Sequence, residues 1–574
     1  MTRRFTPERD TGSRQRRRFR VAAAAAAAAA ATVLAACGSS GSSGSGPVAS
    51  GSASGLVTGS FGSGATFTAD FNPYSPSAQD PTFGMIYEPL MFFDTAQAGT
   101  VNPWLAASYA WGAGGKSITF QLRHGVKWND GQPFTSADVA YTFNLEKSNP
   151  ALDNYGLPIT GATASGPYTV TISFAKPVYT DLYYIAGKVS MLPQHIWSKI
   201  KNPATFTDPN PVGTGAYAVS KVTPQVLELT ANPHYYLPGL PKVKNYEFLT
   251  YSSNTTYDAA LESGQLGWGG GFVPNVNKTY LARNSKFALV DFPLAVDYLI
   301  PNMAKGPTTA LAVRQAISDA IDRNYISQSV YNGYAPSTNP EGLLLPNFKN
   351  IASPQTASDK FGGANPAQSK QILKTAGYKL GSNGIFSTPG GQPLNLDVKV
   401  VSGYTDYLSI LQILQPELKA AGINLQITAE AYSVWATDQD TGNFQLLLSN
   451  AGYTPIPYSF YYNLLDSAVT KPLGTSEAVG DYGRYTNPQV NTLLSTIAGT
   501  TDTATQNQAF YQIESIFKAQ LPDIPLMEAQ DEIEFDGSSV SGWPTQSNPW
   551  AAPAIWLSPD DGWVAARLAP ASKK

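Results

Sequence analysis

The sequence predicts an α/β protein built from several lobes. The chain has 574 residues, of which 43% are hydrophobic and 14% charged, so it carries enough apolar material for more than one core. Patterns typical of helices and of strands are interleaved along it, and no repeat of solenoid or propeller period is visible. We therefore expect a folded protein in which helices pack on sheets.

The first clear elements form a strand, a turn and a helix. Apolar residues alternate over residues 118–123, which predicts a strand. Thr135 and Asp138 have the spacing of a capping box, so a helix is expected to start at Thr135. These elements predict a small α/β unit within about thirty residues.

Two further helices are predicted in the second half of the chain. The first has an apolar stripe at helical spacing, formed by Val313, Ala316, Ile317, Ala320 and Ile321. The second begins with Asn365 as N-cap and Pro366 as first helical residue, and stops at Gly377. Its inward-facing residues are expected to be Ile372, Leu373 and Ala376.

A third helix is predicted over residues 408–421, followed by a strand over residues 423–427. Pro416 lies inside this helical pattern. Because proline cannot donate the backbone hydrogen bond of a helix interior, it either kinks the helix or marks its true beginning.

The amino-terminal segment has the pattern of an export signal. A basic stretch at residues 16–20 precedes an apolar run at 21–33 and the sequence Leu-Ala-Ala-Cys, which ends at Cys37. This ending resembles a bacterial lipobox, and the resemblance implies a lipid on the Cys37 sulfur. The arginine pair also resembles a twin-arginine signal, so the export route stays open. Residues 38–55 are rich in glycine and serine and predict a flexible tether.

Charge and cysteine content exclude several classes of protein. Residues 1–36 hold eight arginines and two acids, which leaves 30 basic and 39 acidic residues in the remainder. A mildly acidic body lacks the basic face that nucleic-acid binding needs. Cys37 is the only cysteine, which excludes an intrachain disulfide and a thiolate metal cluster.

Several collinear motifs follow one another along the chain, at residues 87–90 (YEPL), 103–106 (PWLA), 120–131 (FQLRHGVKWNDG), 134–139 (FTSADV), 213–217 (GTGAY), 232–236 (NPHYY), 313–317 (VRQAI) and 320–323 (AIDR). In this order they resemble the family 5 solute-binding proteins, which include oligopeptide, dipeptide, nickel and some oligosaccharide receptors. We expect most of these residues to hold the scaffold. Asp130 and Gly131 suit a turn, and Asp322 with Arg323 is expected to close a helix.

The resemblance implies a two-lobed periplasmic-binding-protein-like fold, type II and of the large cluster C type, with an extra subdomain in the first lobe. The expected segments are a signal peptide (1–36), the lipidated tether (37–56), the base lobe (57–84, 210–295 and 527–574), the subdomain (85–209) and the second lobe (296–526). Ligand would lie in the cleft between the lobes.

The resemblance also implies a function: an extracytoplasmic receptor of an ABC importer that captures a peptide-like solute and delivers it to the permease. The protein would be monomeric and anchored through Cys37 to the outer face of the cell membrane. Two alternatives remain, namely an oligosaccharide or other non-peptide solute, and a non-transport sensor or adhesin on the same fold.

Enzymatic and metal-binding alternatives have weaker support, and we expect neither catalysis nor a cofactor. Gly115-Lys116-Ser117 ends like a P-loop but lacks its first glycine, which favours a hairpin turn. The glycine-rich segment 267–272 ends in Phe272 where a dinucleotide loop needs glycine. The three histidines, His124, His195 and His234, show no metal-ligand spacing.

Aromatic and amide side chains are the candidate ligand contacts. Peptide receptors of this family typically hold the peptide amino terminus with an aspartate after Gly-Trp, whereas residues 451–458 here contain no acid. A buried ammonium would lack a counter-charge there, which weakens the prediction of a free peptide. The candidates are Asn72, Trp268, Phe272, Asn302, Tyr404, Tyr453, Tyr458 and Trp550.

Overall fold

The structure is a computed structural model that describes residues 56–59, 66–75, 77–475 and 480–572. The predicted signal peptide, Cys37 and nearly all of the predicted tether lie outside the described residues. Within the described segments, no helix combines the length and the apolar character needed to cross a membrane.

The strands of the described residues vary from two to fifteen residues in length. They are β1 (Leu56–Gly59), β2 (Met91–Phe93), β3 (Val101–Pro103), β4 (Ala106–Trp111), β5 (Ser117–Leu122), β6 (Ile159–Ala164), β7 (Thr169–Phe174), β8 (Tyr217–Val222), β9 (Val226–Ala231), β10 (Asn245–Leu249), β11 (Phe287–Pro301), β12 (Lys379–Leu380), β13 (Phe386–Ser387), β14 (Asn395–Val401), β15 (Asn424–Glu430), β16 (Leu446–Ala451), β17 (Ile524–Asp536), β18 (Val540–Ser541) and β19 (Ala569–Pro570).

The helices are concentrated in the second half of the chain. They are α1 (Ser136–Ser148), α2 (Gln194–Trp197), α3 (Asn254–Glu262), α4 (Val276–Thr279), α5 (Leu311–Ala320), α6 (Arg323–Tyr331), α7 (Leu345–Phe348), α8 (Pro366–Thr375), α9 (Thr405–Ala420), α10 (Tyr432–Thr441), α11 (Pro457–Leu465), α12 (Pro488–Ala498), α13 (Thr503–Gln520) and α14 (Asp560–Arg567).

Three larger sheets organise these elements. The base sheet has the strand order β1-β10-β9-β8, and the subdomain sheet has the order β4-β5-β7-β6 with α1 packed against β6 and β7. The second-lobe sheet has the order β15-β14-β16-β11-β17. Its strands β14, β15 and β16 are parallel, and α9 packs on β14 and β15. The fold is therefore α/β with more than one sheet, as the sequence predicts.

Two long antiparallel strands, β11 and β17, run from one core into the other. Their pairing extends from Phe287 opposite Asp536 to Leu299 opposite Ile524. At one end Phe292 packs in the core that joins the base and subdomain sheets, and at the other end Leu299 packs in the second-lobe core. These two strands, which we call the crossing strands, thus bridge the two lobes.

The predicted helix starts are largely confirmed. Thr135 is the N-cap of α1, its backbone N–H donates to Asp138 Oδ2 at 2.8 Å, and the capping box is complete. Asn365 caps α8 by accepting from the Gln368 N–H at 3.0 Å, with Pro366 as first helical residue. Short-range capping chemistry was sufficient to place these boundaries.

Three details differ from the sequence predictions. Ala376 is exposed instead of facing inward, because α8 ends at Thr375. Asp322 does not close a helix: its side chain accepts from the Tyr325 N–H at 3.0 Å and begins α6. Pro416 lies inside α9, which starts a turn earlier than predicted, so it does not mark the beginning of that helix.

The glycine-lysine-serine segment forms a hairpin turn between β4 and β5, as expected. Gly112 N–H donates to Ser117 O at 2.8 Å, and Gly115 adopts a φ of +66°. A Cβ on Gly115 would lie 2.6 Å from the Tyr179 ring, so this position also requires the small residue.

Candidate functional site

A cavity of about 620 Å³, the main cavity, lies between first-lobe and second-lobe residues. One wall comes from the first lobe and consists of Asp80, Asn254, Gly270, Gly271, Phe272 and Trp556. The opposite wall comes from α9, α10, α11, the end of β16 and neighbouring loops. It includes Tyr404, Asp406, Tyr407, Tyr432, Trp435, Gln439, Ser449, Asn450, Tyr453, Thr454, Phe460, Asn463 and Tyr482. Asp531 of β17 completes the lining.

A smaller cavity of about 110 Å³, the side pocket, adjoins the main cavity at the crossing strands. The two share walls, among them Phe272, Asp406, Tyr407 and Asp531. Residues that line only the side pocket are Asp297, Tyr331, Tyr334, Ala529, Gln530 and Glu532. The site thus has a roomy aromatic part and a narrow acidic part.

The lobes contact each other around the main cavity. Tyr453 of the second lobe packs edge-on against Trp556 of the first, with ring centroids 4.9 Å apart. Asn254 Nδ2 donates to Thr405 Oγ1 at 3.3 Å, and Tyr184 Oη donates to Asn463 Oδ1 at 2.9 Å. The cavity is therefore bounded by contacts from both lobes.

The glycines of the first-lobe wall are required by close packing. A Cβ on Gly269 would lie 2.0 Å from Tyr257 Oη, and one on Gly270 would lie 3.1 Å from Trp556 Nε1. Tyr257 Oη accepts from the Gly270 N–H at 2.8 Å and donates to Glu534 Oε2 at 2.9 Å. This network fixes the loop that carries Phe272 into both cavities, which is the role of the glycine-rich segment.

Carboxyl groups from three elements converge on the side pocket. Asp297 on β11 is only 3% exposed, and its Oδ1 accepts from Tyr407 Oη at 2.6 Å. Glu532 on β17 accepts from the Val273 N–H at 3.2 Å. Asp406 in the first turn of α9 is contacted by Asn254 Nδ2 at 3.5 Å. Strand and helix geometry together place these acids at one end of the cleft.

Burial raises the pKa of each of these acids. It raises the pKa of Asp297 and of Glu532 to about 7 and that of Asp406 to about 6. The pKa of Asp531 lies well above its usual range, because of burial and of the neighbouring carboxyls of Asp297 and Asp291. Desolvation and mutual repulsion both disfavour the charged forms.

The structure places three of the predicted contact residues, Phe272, Tyr404 and Tyr453, in the lining of the main cavity. Two aromatics outside the predicted set, Tyr407 and Trp556, also line it. Residues 272, 404–407, 453 and 556 are distant in the sequence, and the fold places them around one cavity.

The other predicted contact residues lie elsewhere. Asn72 and Asn302 are fully buried and donate to backbone carbonyls, for example Asn72 Nδ2 to Pro203 O at 2.8 Å and Asn302 Nδ2 to Gly442 O at 2.9 Å. Trp268 is fully buried and donates to Pro553 O at 2.7 Å. None of these three is among the residues that line either cavity.

Tyr458 and Trp550 are also absent from the cavity linings. Tyr458 is 8% exposed and stacks on Tyr462 with ring centroids 5.5 Å apart. Trp550 packs against the first-lobe core. The sequence offered no means to separate these aromatics from cavity-lining ones, since aromatic side chains are common both in cores and in ligand pockets.

The acids of the side pocket were not found from the sequence. Asp297 and Asp531 lie within long apolar or alternating strand patterns, and no local motif marks them. The usable signal was the presence of several carboxyls inside two otherwise well-packed strands, because a buried carboxyl is costly unless it has a role.

Known protein families provide the decisive comparison. The profile of the bacterial extracellular solute-binding proteins, family 5 (middle region), matches residues 100–471. The chain belongs to this family. The match covers most of the subdomain, the crossing strand β11 and most of the second lobe.

Individual relatives of this family 5 protein are similar over most of its length. It is 25% identical over 454 residues to the nickel-binding periplasmic protein of Escherichia coli, covering 75% of this chain and 80% of that one. It is also 25% identical over 477 residues to the glutathione-binding protein of Shigella flexneri, covering 80% and 84% respectively.

Solved structures confirm the fold of this family 5 protein. A periplasmic oligopeptide-binding protein of an oligopeptide ABC transporter from Thermotoga maritima, bound to mannohexaose, superposes with a TM-score of 0.80 at 25% identity. That superposition covers 90% of this chain and 99% of the other. The two-lobed periplasmic-binding-protein fold expected from the motifs is thus confirmed.

Proposed function

We propose that this family 5 protein is the extracytoplasmic receptor of an ABC importer, which captures a peptide-like solute in its interlobe cleft and delivers it to the permease. The observation that carries the proposal is a cavity of about 620 Å³ bounded by both lobes, which the two crossing strands connect in the described part of the chain. Such a connection permits hinge closure around a solute, and the closed shape can be read by a partner.

A lipid on Cys37 would hold this receptor at the outer face of the cell membrane. The support is the lipobox-like sequence that ends at Cys37 and the glycine- and serine-rich stretch that follows it. Metabolic labelling with a palmitate analogue tests the anchor: wild-type protein should carry the label, and Cys37→Ala should not.

An oligosaccharide is the second candidate solute. Among the described residues, nine aromatic side chains line the main cavity from several sides, namely Phe272, Tyr404, Tyr407, Tyr432, Trp435, Tyr453, Phe460, Tyr482 and Trp556. Aromatic faces of this kind stack on sugar rings as readily as they cover apolar peptide side chains. The mannohexaose in the Thermotoga maritima relative accords with this candidate.

Tryptophan fluorescence tests the receptor function, because Trp435 and Trp556 line the main cavity. The purified protein is titrated with a peptide library and with oligosaccharides, and thermal shift is measured in parallel. A binding solute should change the emission and raise the melting temperature. Absence of both effects with every solute would contradict the proposal.

A matched pair of variants locates the binding event. Trp556→Phe should lose much of the emission change, since this indole borders the cavity. Trp550→Phe should keep it, because Trp550 packs on the first-lobe core and does not line the cavity. An equal loss in both variants would place the solute outside the main cavity.

A further inference from the structure

The charges that line the two cavities are of one sign. Five acids contribute to the lining: Asp80, Asp297, Asp406, Asp531 and Glu532. Among the described lining residues there is no lysine, arginine or histidine. The chain as a whole has 38 basic and 41 acidic residues, so this imbalance belongs to the site and not to the composition.

The acids of the side pocket are poorly compensated. Asp531 Oδ2 is shielded from solvent and has no hydrogen-bond partner among the described residues. Asp297 is 97% buried, and the only side chain described as donating to it is the neutral hydroxyl of Tyr407. Buried carboxyls without a cationic partner are costly, which indicates that the missing partner comes with the ligand.

A second polar group of the site also lacks a partner. Trp435 is 7% exposed and lines the main cavity, and its Nε1–H has no acceptor among the described residues. Buried donors and acceptors normally find partners, so this indole N–H points to a ligand that carries a hydrogen-bond acceptor.

The geometry favours an organic cation over a metal ion. No group of three or more His, Cys, Asp or Glu side chains among the described residues is arranged to hold a metal ion. The side pocket is instead walled by aromatic rings: Phe272 and Tyr331 pack edge-on at 5.7 Å, and Tyr331 and Tyr334 at 5.8 Å. Rings beside carboxylates attract ammonium and guanidinium groups through their π faces.

We propose that the side pocket and the adjoining end of the main cavity bind the cationic group of the solute, an organic ammonium or guanidinium. This inference rests on the proposed receptor function and names the solute class. Asp297, Asp531 and Glu532 supply the counter-charge, and the main cavity holds the rest of the solute. The side pocket, at about 110 Å³, is much smaller than the main cavity at about 620 Å³, so it suits a head group while the larger cavity takes the remainder.

Calorimetric titration with probes of matched size and different charge tests the proposal. The probes are Ala-Arg-Ala-amide, acetyl-Ala-citrulline-Ala-amide, acetyl-Ala-Glu-Ala-amide, spermidine and mannohexaose. The arginine peptide or spermidine should bind at least about tenfold more tightly than the neutral and acidic probes. Comparison of the arginine peptide with spermidine shows whether the cation belongs to a basic peptide or to a free amine.

Two near-isosteric variants provide the matched control. Asp297 and Asp208 are each 3% exposed, and each accepts from a tyrosine hydroxyl, Tyr407 at 2.6 Å and Tyr87 at 2.5 Å. Asp297 lines the side pocket, whereas Asp208 lines neither of the two cavities described above. Asp297→Asn should weaken cation binding at least about tenfold, whereas Asp208→Asn should retain it. Asp531→Asn serves as the second variant, and the melting temperature shows whether each variant is folded.

The outcomes separate this inference from the receptor function. Equal or tighter binding of the citrulline, glutamate or mannohexaose probe would overturn the cation inference and leave the receptor function standing. Cation binding that survives both Asp297→Asn and Asp531→Asn would also overturn it. Binding by none of the five probes would overturn the cation inference, whereas the receptor function is decided by the titration with the peptide library and the oligosaccharides.

Discussion

Single side chains of the recognised motifs act mainly as scaffold. Arg314 is 4% exposed and donates to two separate segments: Nη1 to Thr308 O at 2.9 Å, and, at the end of α13, Nη2 to Gln520 O at 2.8 Å and Nε to Leu521 O at 3.0 Å. Arg323, also buried, donates to Pro525 O at 2.7 Å. These guanidinium groups satisfy carbonyls at helix ends and beside β17, so the motif is explained by backbone hydrogen bonding.

Removal of such a side chain should destabilise the fold. Arg314→Met leaves several buried carbonyls without donors, and we expect a loss of about 3 kcal/mol in the free energy of unfolding. Arg283→Met is the control, because the exposed pair of Arg283 with Glu262 contributes at most about 1 kcal/mol. Urea denaturation measures both. A similar loss of unfolding free energy in the two variants would show that the buried hydrogen bonds of Arg314 contribute no additional stability.

At the scale of elements, the crossing strands are well packed but place like charges opposite each other. Asp291 on β11 lies directly opposite Glu532 on β17 in the strand register, and like charges in such a pair are destabilising. Burial and neighbouring acids raise the pKa of Glu532 to about 7. A sheet that only joined two lobes would not need these acids, which agrees with a role in binding.

The same acids make a pH dependence of stability predictable. The folded-state pKa of Asp297 is about 7, well above the value of about 4 for an unfolded aspartate. The contribution of Asp297 to the free energy of unfolding is therefore complete below a pH of about 4 and is lost as the pH rises through about 7. The titratable groups around the pocket are Asp291, Asp297, Tyr331, Tyr334, Asp406, Tyr407, Tyr453, Asp531 and Glu532.

Titration of these acids should therefore lower the melting temperature of the unliganded protein between pH 5 and pH 8. Asp297→Asn removes one titrating group and should flatten the decline between these pH values. Glu228→Gln, a surface change beside Lys221, should keep the wild-type slope. Differential scanning calorimetry over this pH range measures the slopes, and a slope unchanged by Asp297→Asn would refute the assignment.

For the whole molecule, the balance between open and closed lobes should control affinity. The hydrogen bond from Tyr184 Oη to Asn463 Oδ1 joins the subdomain to the second lobe, and Tyr184 does not line either cavity. A contact formed only in the closed state adds to the apparent affinity without touching the solute.

Tyr184→Phe should therefore weaken solute binding roughly fivefold, the equivalent of about 1 kcal/mol for one hydrogen bond, mainly through faster dissociation. Tyr217→Phe is the matched control, because Tyr217 Oη donates to Ala565 O and Val243 O within the first lobe. It should lower stability without altering affinity. Stopped-flow fluorescence gives both rate constants, and unchanged dissociation in Tyr184→Phe would exclude this contact from closure.

The sequence by itself determined the elements that depend on neighbouring residues. The capping box at Thr135, the Asn365-Pro366 helix start and the collinear motifs of the family all rest on short-range patterns, and the structure agrees with them. The turn chemistry at Gly115 was equally local. These features are predictable because the chemistry that specifies them lies within a few residues along the chain.

Only the tertiary structure decided which residues form the site. Pairing of β11 with β17 and packing of α9 bring Asp297, Asp406 and Asp531 together across more than two hundred residues of sequence. The sequence led us to look for an acid at residues 451–458, where there is none, and to count Trp268 among the ligand contacts. The physical reason is that a cleft arises from long-range packing between lobes, which no local pattern records.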